Sequence, residues 1–308
     1  MAATASLVAA HAAAGPLQPF LDRFIKEEGL PGAVLLVSGP QGREVVASGV
    51  ANRKTGERMS PQTRFYIASS GKMVTAVATM QLVQEKKLRL EEPVFPLLGK
   101  VPGINKLRNI QQVTLEQLLN HRSGLAEYYT DEFGEDAARN KDKRYTADES
   151  LAFAYGQKAQ SRPGREYNYT NTNYVLLGRL VELADGAAYA QAVQRRVLDV
   201  AGMPSTTVGA AAAASGIAHG YSEDERGRLQ DVSYTGWNAI TGDGAIVTQA
   251  FTPDAERKSV FLHGEYDVND YVTLWAQGSY NASETFARPQ VLQVQTTSQF
   301  RIYEDNPF

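Results

Sequence analysis

The chain has 308 residues, 43% hydrophobic and 21% charged, and 31 Lys+Arg against 34 Asp+Glu leave a formal net charge of -3. That length carries one large domain or two ordinary ones with a substantial core, and the charge balance lacks the basic excess of a typical nucleic-acid binder. Zero cysteines exclude a disulfide framework, a cysteine nucleophile and thiolate metal sites, and the scattered histidines (His11, His121, His219, His263) form no close ligand pair, so no metal or other cofactor is expected.

Residues 2–14 are alanine-rich and apolar and end in small residues before Gly15 and Pro16. They resemble the apolar region and cleavage site of a secretory signal, without its basic start; the alternative is an N-terminal helix or a frayed tail. No run of about 18 apolar residues follows, so no membrane-spanning helix is encoded. Phe20, Leu21, Phe24 and Ile25 then recur at helical spacing, ended by Gly29 to Gly32. The apolar run 33–38, a turn at 39–42 and a second run at 45–50 predict a β-hairpin.

Between residues 69 and 86, Met73, Val77, Met80 and Val83 form one helical stripe among alanines, which predicts a buried central helix. Thr114 and Gln117 make a capping box for a helix with Leu115, Leu118 and Leu119 on its apolar face and Ser123 and Gly124 at its end. After a turn at 162–165, a helix carries Leu176, Leu177, Leu180 and Val181 up to Gly186, and another runs from about Tyr189 to Val200. From Lys258 onward the alternation of Val260, Leu262, Gly264 and Tyr266, a turn-like stretch at 267–270, and the alternation of Val272, Leu274 and Ala276 predict two long strands joined by a short turn.

Ser69 and Lys72 stand three residues apart at a helix start, a spacing that puts a hydroxyl and an amine on one helix face, where a desolvated lysine can help remove the serine proton. The alternative for this pair is an N-cap serine with a solvated lysine. Tyr169-Thr170-Asn171 lies on a loop between helices, where a tyrosine beside a cationic lysine can act as a base and an asparagine can hydrogen-bond a substrate carbonyl. The alternative there is a surface aromatic followed by a helix cap. His121 follows a capped helix and is expected to make a structural hydrogen bond. Tyr128, Tyr129 and Trp237 are candidates for lining an acyl pocket, or else partly buried aromatics.

The segments "FYIASSGKMVTAVATMQLVQEKKLRLEEPV", "TLEQLLNHRSGL", "PGREYNYTNTNYVLLGRLVE", "VLDVAGMPSTTV" and "IAHGYS" together resemble the serine β-lactamase-related superfamily, in order and spacing similar to class C β-lactamases, D-alanyl-D-alanine carboxypeptidases and family VIII esterases. The resemblance covers roughly residues 18–250. It implies an α/β (α+β) fold, with an antiparallel sheet flanked by helices beside a helical domain and the site in the cleft between them. The implied division is a signal remnant at 1–16, an α/β domain from 17–68 and 206–256, a helical domain at 69–205, and an atypical β-hairpin segment at 257–308. It further implies that Ser69 is acylated, that Lys72 is its proton partner, that Tyr169 activates water and that Asn171 binds substrate. The amide of Ser69, at a helix N-terminus, would supply one oxyanion donor. With the signal-like start, the resemblance implies a periplasmic or secreted location.

The family pattern fails downstream. No K-T-G or H-x-G follows Gly244, and the last fifty residues resemble instead a strand-turn-strand piece of a TonB-dependent outer-membrane receptor, which needs about 22 strands to close a barrel. Two or three strands do not span a membrane. The expected activity is a serine hydrolase acting through an acyl-enzyme on a small-molecule ester or amide, short-chain esters favoured because the missing strand would supply the cationic group that holds a β-lactam or peptide carboxylate. The alternative is a β-lactamase or D-Ala-D-Ala carboxypeptidase-like penicillin-binding protein, weakened by loss of an oxyanion donor.

Overall fold

The computed structural model describes residues 17–39, 42–140, 143, 145–208, 216–224 and 226–233, together with the backbone of 246–249, 257–269 and 272–283. The chain divides into two compact units, residues 1–252 and 253–308.

In the first unit the predicted opening helix is α1 (Leu17–Glu27), which buries only Leu21 and stacks its exposed Phe20 and Phe24 on each other. It lies on a hairpin of β1 (Gly32–Gly39) and β2 (Gly42–Asn52), antiparallel from Gly32↔Gly49 to Gly39↔Gly42, extended by β3 (Glu57–Arg58). At Gly49, with φ +80°, a Cβ would fall 2.3 Å from the Pro31 carbonyl oxygen, so the crossing of the two strands requires glycine.

The chain then passes through β4 (Arg64–Tyr66) and a 3₁₀ turn (Ala68–Ser70) into α2 (Gly71–Gln84). The helical region continues with α3 (Phe95–Leu98), α4 (Leu115–Leu119), α5 (Asp131–Arg139), α6 (Ala147–Ala152), α7 (Asn171–Asp185) and α8 (Tyr189–Val193), the last running into a π-helical turn (Gln194–Leu198). It returns to β5 (Thr207–Val208), followed by a hairpin of β6 (Tyr221–Glu223) and β7 (Leu229–Asp231) and by β8 (Ile246–Gln249). A sheet of order β4-β8-β5, antiparallel throughout, brackets the helical region: β8 lies between the strand that enters it and the strand that leaves it. The fold is thus mixed α/β, helices with antiparallel sheets. His219 pins the β6–β7 hairpin to the end of β2: its amide donates to Ala51 O, Nε2 meets Asn52 Nδ2 at 3.0 Å and Nδ1 meets Asp231 Oδ2 at 2.7 Å.

The main core lies among the helices, where α7 is buried on nearly every side and packs against α2. The sequence reading of α2 needs correction here. Met73 and Val77 are 53% and 47% exposed, and the packed face carries Lys72, Thr75, Ala78, Thr79 and Leu82. Small and hydroxyl side chains let the helices approach closely, and the hydroxyls find partners, Thr75 with Tyr189 OH at 2.6 Å and Thr79 with the Thr75 carbonyl at 2.8 Å.

The capping box of α4 forms in both directions between Thr114 and Gln117. Its C-terminus departs from the reading that Ser123 and Gly124 end it. His121, with φ +57°, takes the left-handed position, its amide bonded to Leu118 O and that of Arg122 to Gln117 O. This double bond pattern is a Schellman cap, normally closed by glycine.

Where α2, α7 and the π-helical turn end together, Arg196 donates to Asp185 Oδ1 from Nε at 2.7 Å and to both oxygens of Glu85 at 2.6 and 3.1 Å. Asp185 is 1% exposed and is also held by Arg195 at 2.5 Å. Replacing Arg196 by Met leaves that covered carboxylate with only a surface partner, so the expected loss is about 3 kcal/mol of unfolding free energy, measured by urea titration. A loss within error of zero would show that the cluster does not tie the three helix ends.

The second unit contains β9 (Arg257–Asn269) and β10 (Val272–Ser283), the two long antiparallel strands that the alternation predicts. The register sets Val260 opposite Tyr280 and Tyr266 opposite Leu274, with an irregularity between Val272 and Thr273 at the start of β10; residues 267–269, read as turn-like from the sequence, belong to β9.

Candidate active site

The site begins where β4 gives way to α2. Ala68 adopts φ +44°, a backbone conformation that costs energy for any residue with a Cβ and is found where a chain must present a side chain at a sharp bend. The bend leaves Ser69 exposed just before the start of α2, while Lys72, one turn further on, is buried at 6% exposure. Lys72 Nζ donates to Ser69 Oγ at 3.2 Å and to Asn171 Oδ1 at 2.8 Å. The exposed phenol of Tyr169 donates to the same Ser69 Oγ at 2.8 Å. Four residues picked out in the sequence, Ser69, Lys72, Tyr169 and Asn171, therefore share one hydrogen-bonded cluster. Lys72 Nζ also faces the rings of Tyr169 and Tyr174 at 5.2 and 5.7 Å, which adds cation–π contacts to its hydrogen bonds.

The N-terminus of α7 places the Tyr169-to-Asn171 segment. Thr170 caps it through its hydroxyl, which accepts the Thr172 amide at 3.3 Å. Glu127, half-buried, accepts the amides of Asn171 at 2.6 Å and Tyr129 at 2.7 Å, joining the loop after α4 to the first turn of α7. Thr172 Oγ1 accepts the Tyr128 amide at 2.9 Å, and Ser123 donates to Asn173 Oδ1 at 2.6 Å. Gly124, with φ +65°, lets the same loop cross residue 161, whose carbonyl a Cβ would meet at 2.3 Å. Sequence reading had passed over Glu127. Its signal is that it is the lone charge in the stretch 124–130.

Of the three expected pocket aromatics, Tyr128 is corrected: it is fully buried, its ring edge-on to Phe133 at 5.4 Å, and it belongs to the core rather than to an open pocket. Its burial follows from the anchoring of its amide on Thr172, which turns the ring inward. Tyr129 is half-buried against Phe133 and burial raises its phenol pKa. Trp237 lies outside the described residues.

His121, behind Tyr169, is buried, and burial together with the Lys72 charge lowers its pKa to about 4. In the unfolded chain a histidine titrates near 6.5, so between those values the unfolded state binds the extra proton and stability falls as pH falls. The expected loss is about 3 kcal/mol between pH 7 and pH 4, read from urea unfolding, with His121→Asn flattening the slope. An unchanged slope in the variant would assign the acid sensitivity to other groups.

The sequence pattern of the family described as Beta-lactamase matches residues 17–279. The chain belongs to the beta-lactamase family. Among its curated relatives, it is 29% identical over 195 residues to Protein flp of Staphylococcus aureus (strain MW2), covering 62% of this chain and 37% of that one. It is 31% identical over 188 residues to Penicillin-binding protein 4 of Amycolatopsis lactamdurans, covering 60% and 47%. The chain spans less than half the length of these relatives. Among solved structures, the D-amino acid amidase from Ochrobactrum anthropi SV3 in complex with L-phenylalanine amide superposes with a TM-score of 0.61 at 25% identity, covering 76% of this chain and 65% of that one. The D-stereospecific amidohydrolase from Streptomyces sp. gives 0.64 at 26%, covering 75% and 68%. The match places the chain in a superfamily of serine acyl-transfer enzymes and hydrolases. It also runs through β9 and most of β10, past about residue 250, to which the sequence resemblance extends.

Proposed function

We propose that the chain is a serine hydrolase that cleaves small esters and amides through an acyl-enzyme at Ser69. The observation that carries this reading is the pair of contacts on one oxygen, Ser69 Oγ with Lys72 Nζ at 3.2 Å and with Tyr169 OH at 2.8 Å. A nucleophile held between two proton-transfer groups, on an exposed bend, is the arrangement acyl transfer needs. In the proposed course Lys72 first gives its resting proton to solvent; Ser69 Oγ then bonds to the carbonyl carbon while its own proton passes to the Lys72 amine. Lys72 hands that proton to the leaving alkoxide or amine as its bond to the carbonyl carbon breaks. Water then attacks the acyl carbon, giving a proton to the Tyr169 oxygen as Tyr169 passes its own proton to Ser69 Oγ, whose bond to the acyl carbon breaks. The Ser69 amide, at the start of the turn into α2, serves as one oxyanion donor.

Short-chain esters are favoured, because no K-T-G or H-x-G follows Gly244 to hold a substrate carboxylate, and a neutral ester needs no such partner. The relatives named as an amidase and as a penicillin-binding protein support two further substrates for the same site, amino acid amides and β-lactams. An exported location, outside the cytoplasm, belongs to this reading; among the described residues no helix is long and apolar enough to cross a membrane. The test is hydrolysis of p-nitrophenyl acetate and butyrate beside nitrocefin and a D-amino acid amide, with intact-mass detection of adducts. Ester turnover with an acyl adduct on Ser69 is the expected result. A stable penicillin adduct without turnover would replace it by a penicillin-binding reading, and no adduct with any of them would refute it.

A further inference from the structure

His121 occupies a position where its residue type calls for a reason. It closes α4 in the left-handed conformation that glycine adopts freely, and it carries there a buried side chain. The ring packs against two tyrosines, 4.4 Å from Tyr169 at 28° and 5.2 Å from Tyr174 at 33°, with Tyr167 edge-on at 5.9 Å. Its Nδ1 accepts the Thr170 amide at 3.3 Å, and its carbonyl accepts the Asn168 amide at 2.8 Å. One residue thus holds the backbone on both sides of Tyr169 and covers the face of its ring.

The hydrogen-bond chain behind it fixes which nitrogen carries the proton. Ser123 donates to Asn173 Oδ1, which turns the Asn173 amide nitrogen towards His121 Nδ1 at 3.3 Å. Two donors then meet Nδ1, so Nδ1 is the acceptor and the proton of the neutral ring sits on Nε2. We propose that His121 is a positioning residue for Tyr169, an uncharged acceptor whose ring and Nδ1 hold the phenol over Ser69. Among the described residues, the ionisable groups that face it are Lys72 from α2, Tyr167 and Tyr169 from the loop before α7, and Tyr174 from α7. Protonation would convert Nδ1 from acceptor to donor, detach Thr170 and set a second cation behind the rings that already face Lys72. Burial and Lys72 keep that from happening above about pH 4.

The kinetic consequence rests on the hydrolase reading above; the geometry does not. His121→Asn places a carbonyl oxygen near the position of Nδ1, suits the left-handed backbone and removes the ring. His121→Ala removes both. With p-nitrophenyl acetate, the expected fall in kcat is about 10-fold for Asn and about 100-fold for Ala, with KM nearly unchanged and circular dichroism melts reporting folded protein. In a Tyr169→Phe background the same substitutions are expected to cost less than about 2-fold, because they act through the phenol. Equal costs in both backgrounds would overturn the proposal, since a structural role does not depend on the Tyr169 hydroxyl. Independently of turnover, imidazole ¹⁵N shifts of the wild type, assigned by their loss in His121→Asn, are expected to report the neutral Nε2–H form from pH 5 to 8. A charged ring or an Nδ1–H form in that range would also overturn it. A wild type that turns over neither ester nor amide and forms no Ser69 adduct would remove the hydrolase reading and leave the ¹⁵N result to decide the role of His121.

Discussion

Ser69→Ala is expected to lower ester turnover by about 10⁴-fold or more, to the background of the buffer. The substitution removes one oxygen from an exposed side chain and leaves the backbone of the bend, the α2 start and the Lys72–Asn171 bond in place. Unfolding free energy is therefore expected to stay within about 0.5 kcal/mol of the wild type. The separation matters: a variant that melts like the parent and yet forms no acyl adduct has lost chemistry, not structure. Retention of more than about 1% of the wild-type rate, by p-nitrophenyl acetate assay on protein of verified mass, would assign turnover to another group.

The second large effect is expected at Lys72. Replacing it by Met keeps the buried stem and removes the amine, so kcat/KM for the same ester is expected to fall by about 10³-fold, in the range of a lost general base. Stability should change less than at Arg196. The amine that disappears satisfied Asn171 Oδ1 at 2.8 Å, but that group is partly solvent-accessible and water can take over. Lys72→Arg is expected to lose nearly as much activity, because a planar guanidinium does not reproduce a single nitrogen reaching both Ser69 Oγ and Asn171 Oδ1. Activity surviving in Lys72→Met would transfer the proton-accepting role in acylation to Tyr169.

Much of the site could be read from the sequence because its geometry is local. Ser69 and Lys72 meet because a helix brings residues three apart onto one face, and Asn171 meets Lys72 because it opens α7, the helix packed on α2. The parts that escaped depend on contacts that spacing does not encode. Periodicity marked Met73 and Val77 as the buried stripe of α2, yet the neighbouring helix selects the face with Thr75, Ala78 and Thr79, where backbones approach more closely. Glycine is the usual signal for a left-handed helix end, so the sequence points to Gly124 and not to the cap at His121. Tyr128 carries the composition of a pocket wall, but its amide is anchored on Thr172 and its ring goes into the core. The carboxylate of Glu127 joins the nearby Tyr129 amide to that of Asn171 far along the chain, which residue type alone does not announce.

The bracketing of the helical region by one small sheet has a consequence for how the protein is made. β4, which leads straight into the Ser69 bend, pairs with β8, and β8 is synthesised after every helix of the region. A nascent chain can form α2, α7 and their packed core while the strand before Ser69 still lacks its partner. Long-range strand pairing is slow relative to helix docking, so the bend is expected to gain its final placement late. That order leaves the Ser69 bend without its final setting until β8 has been made.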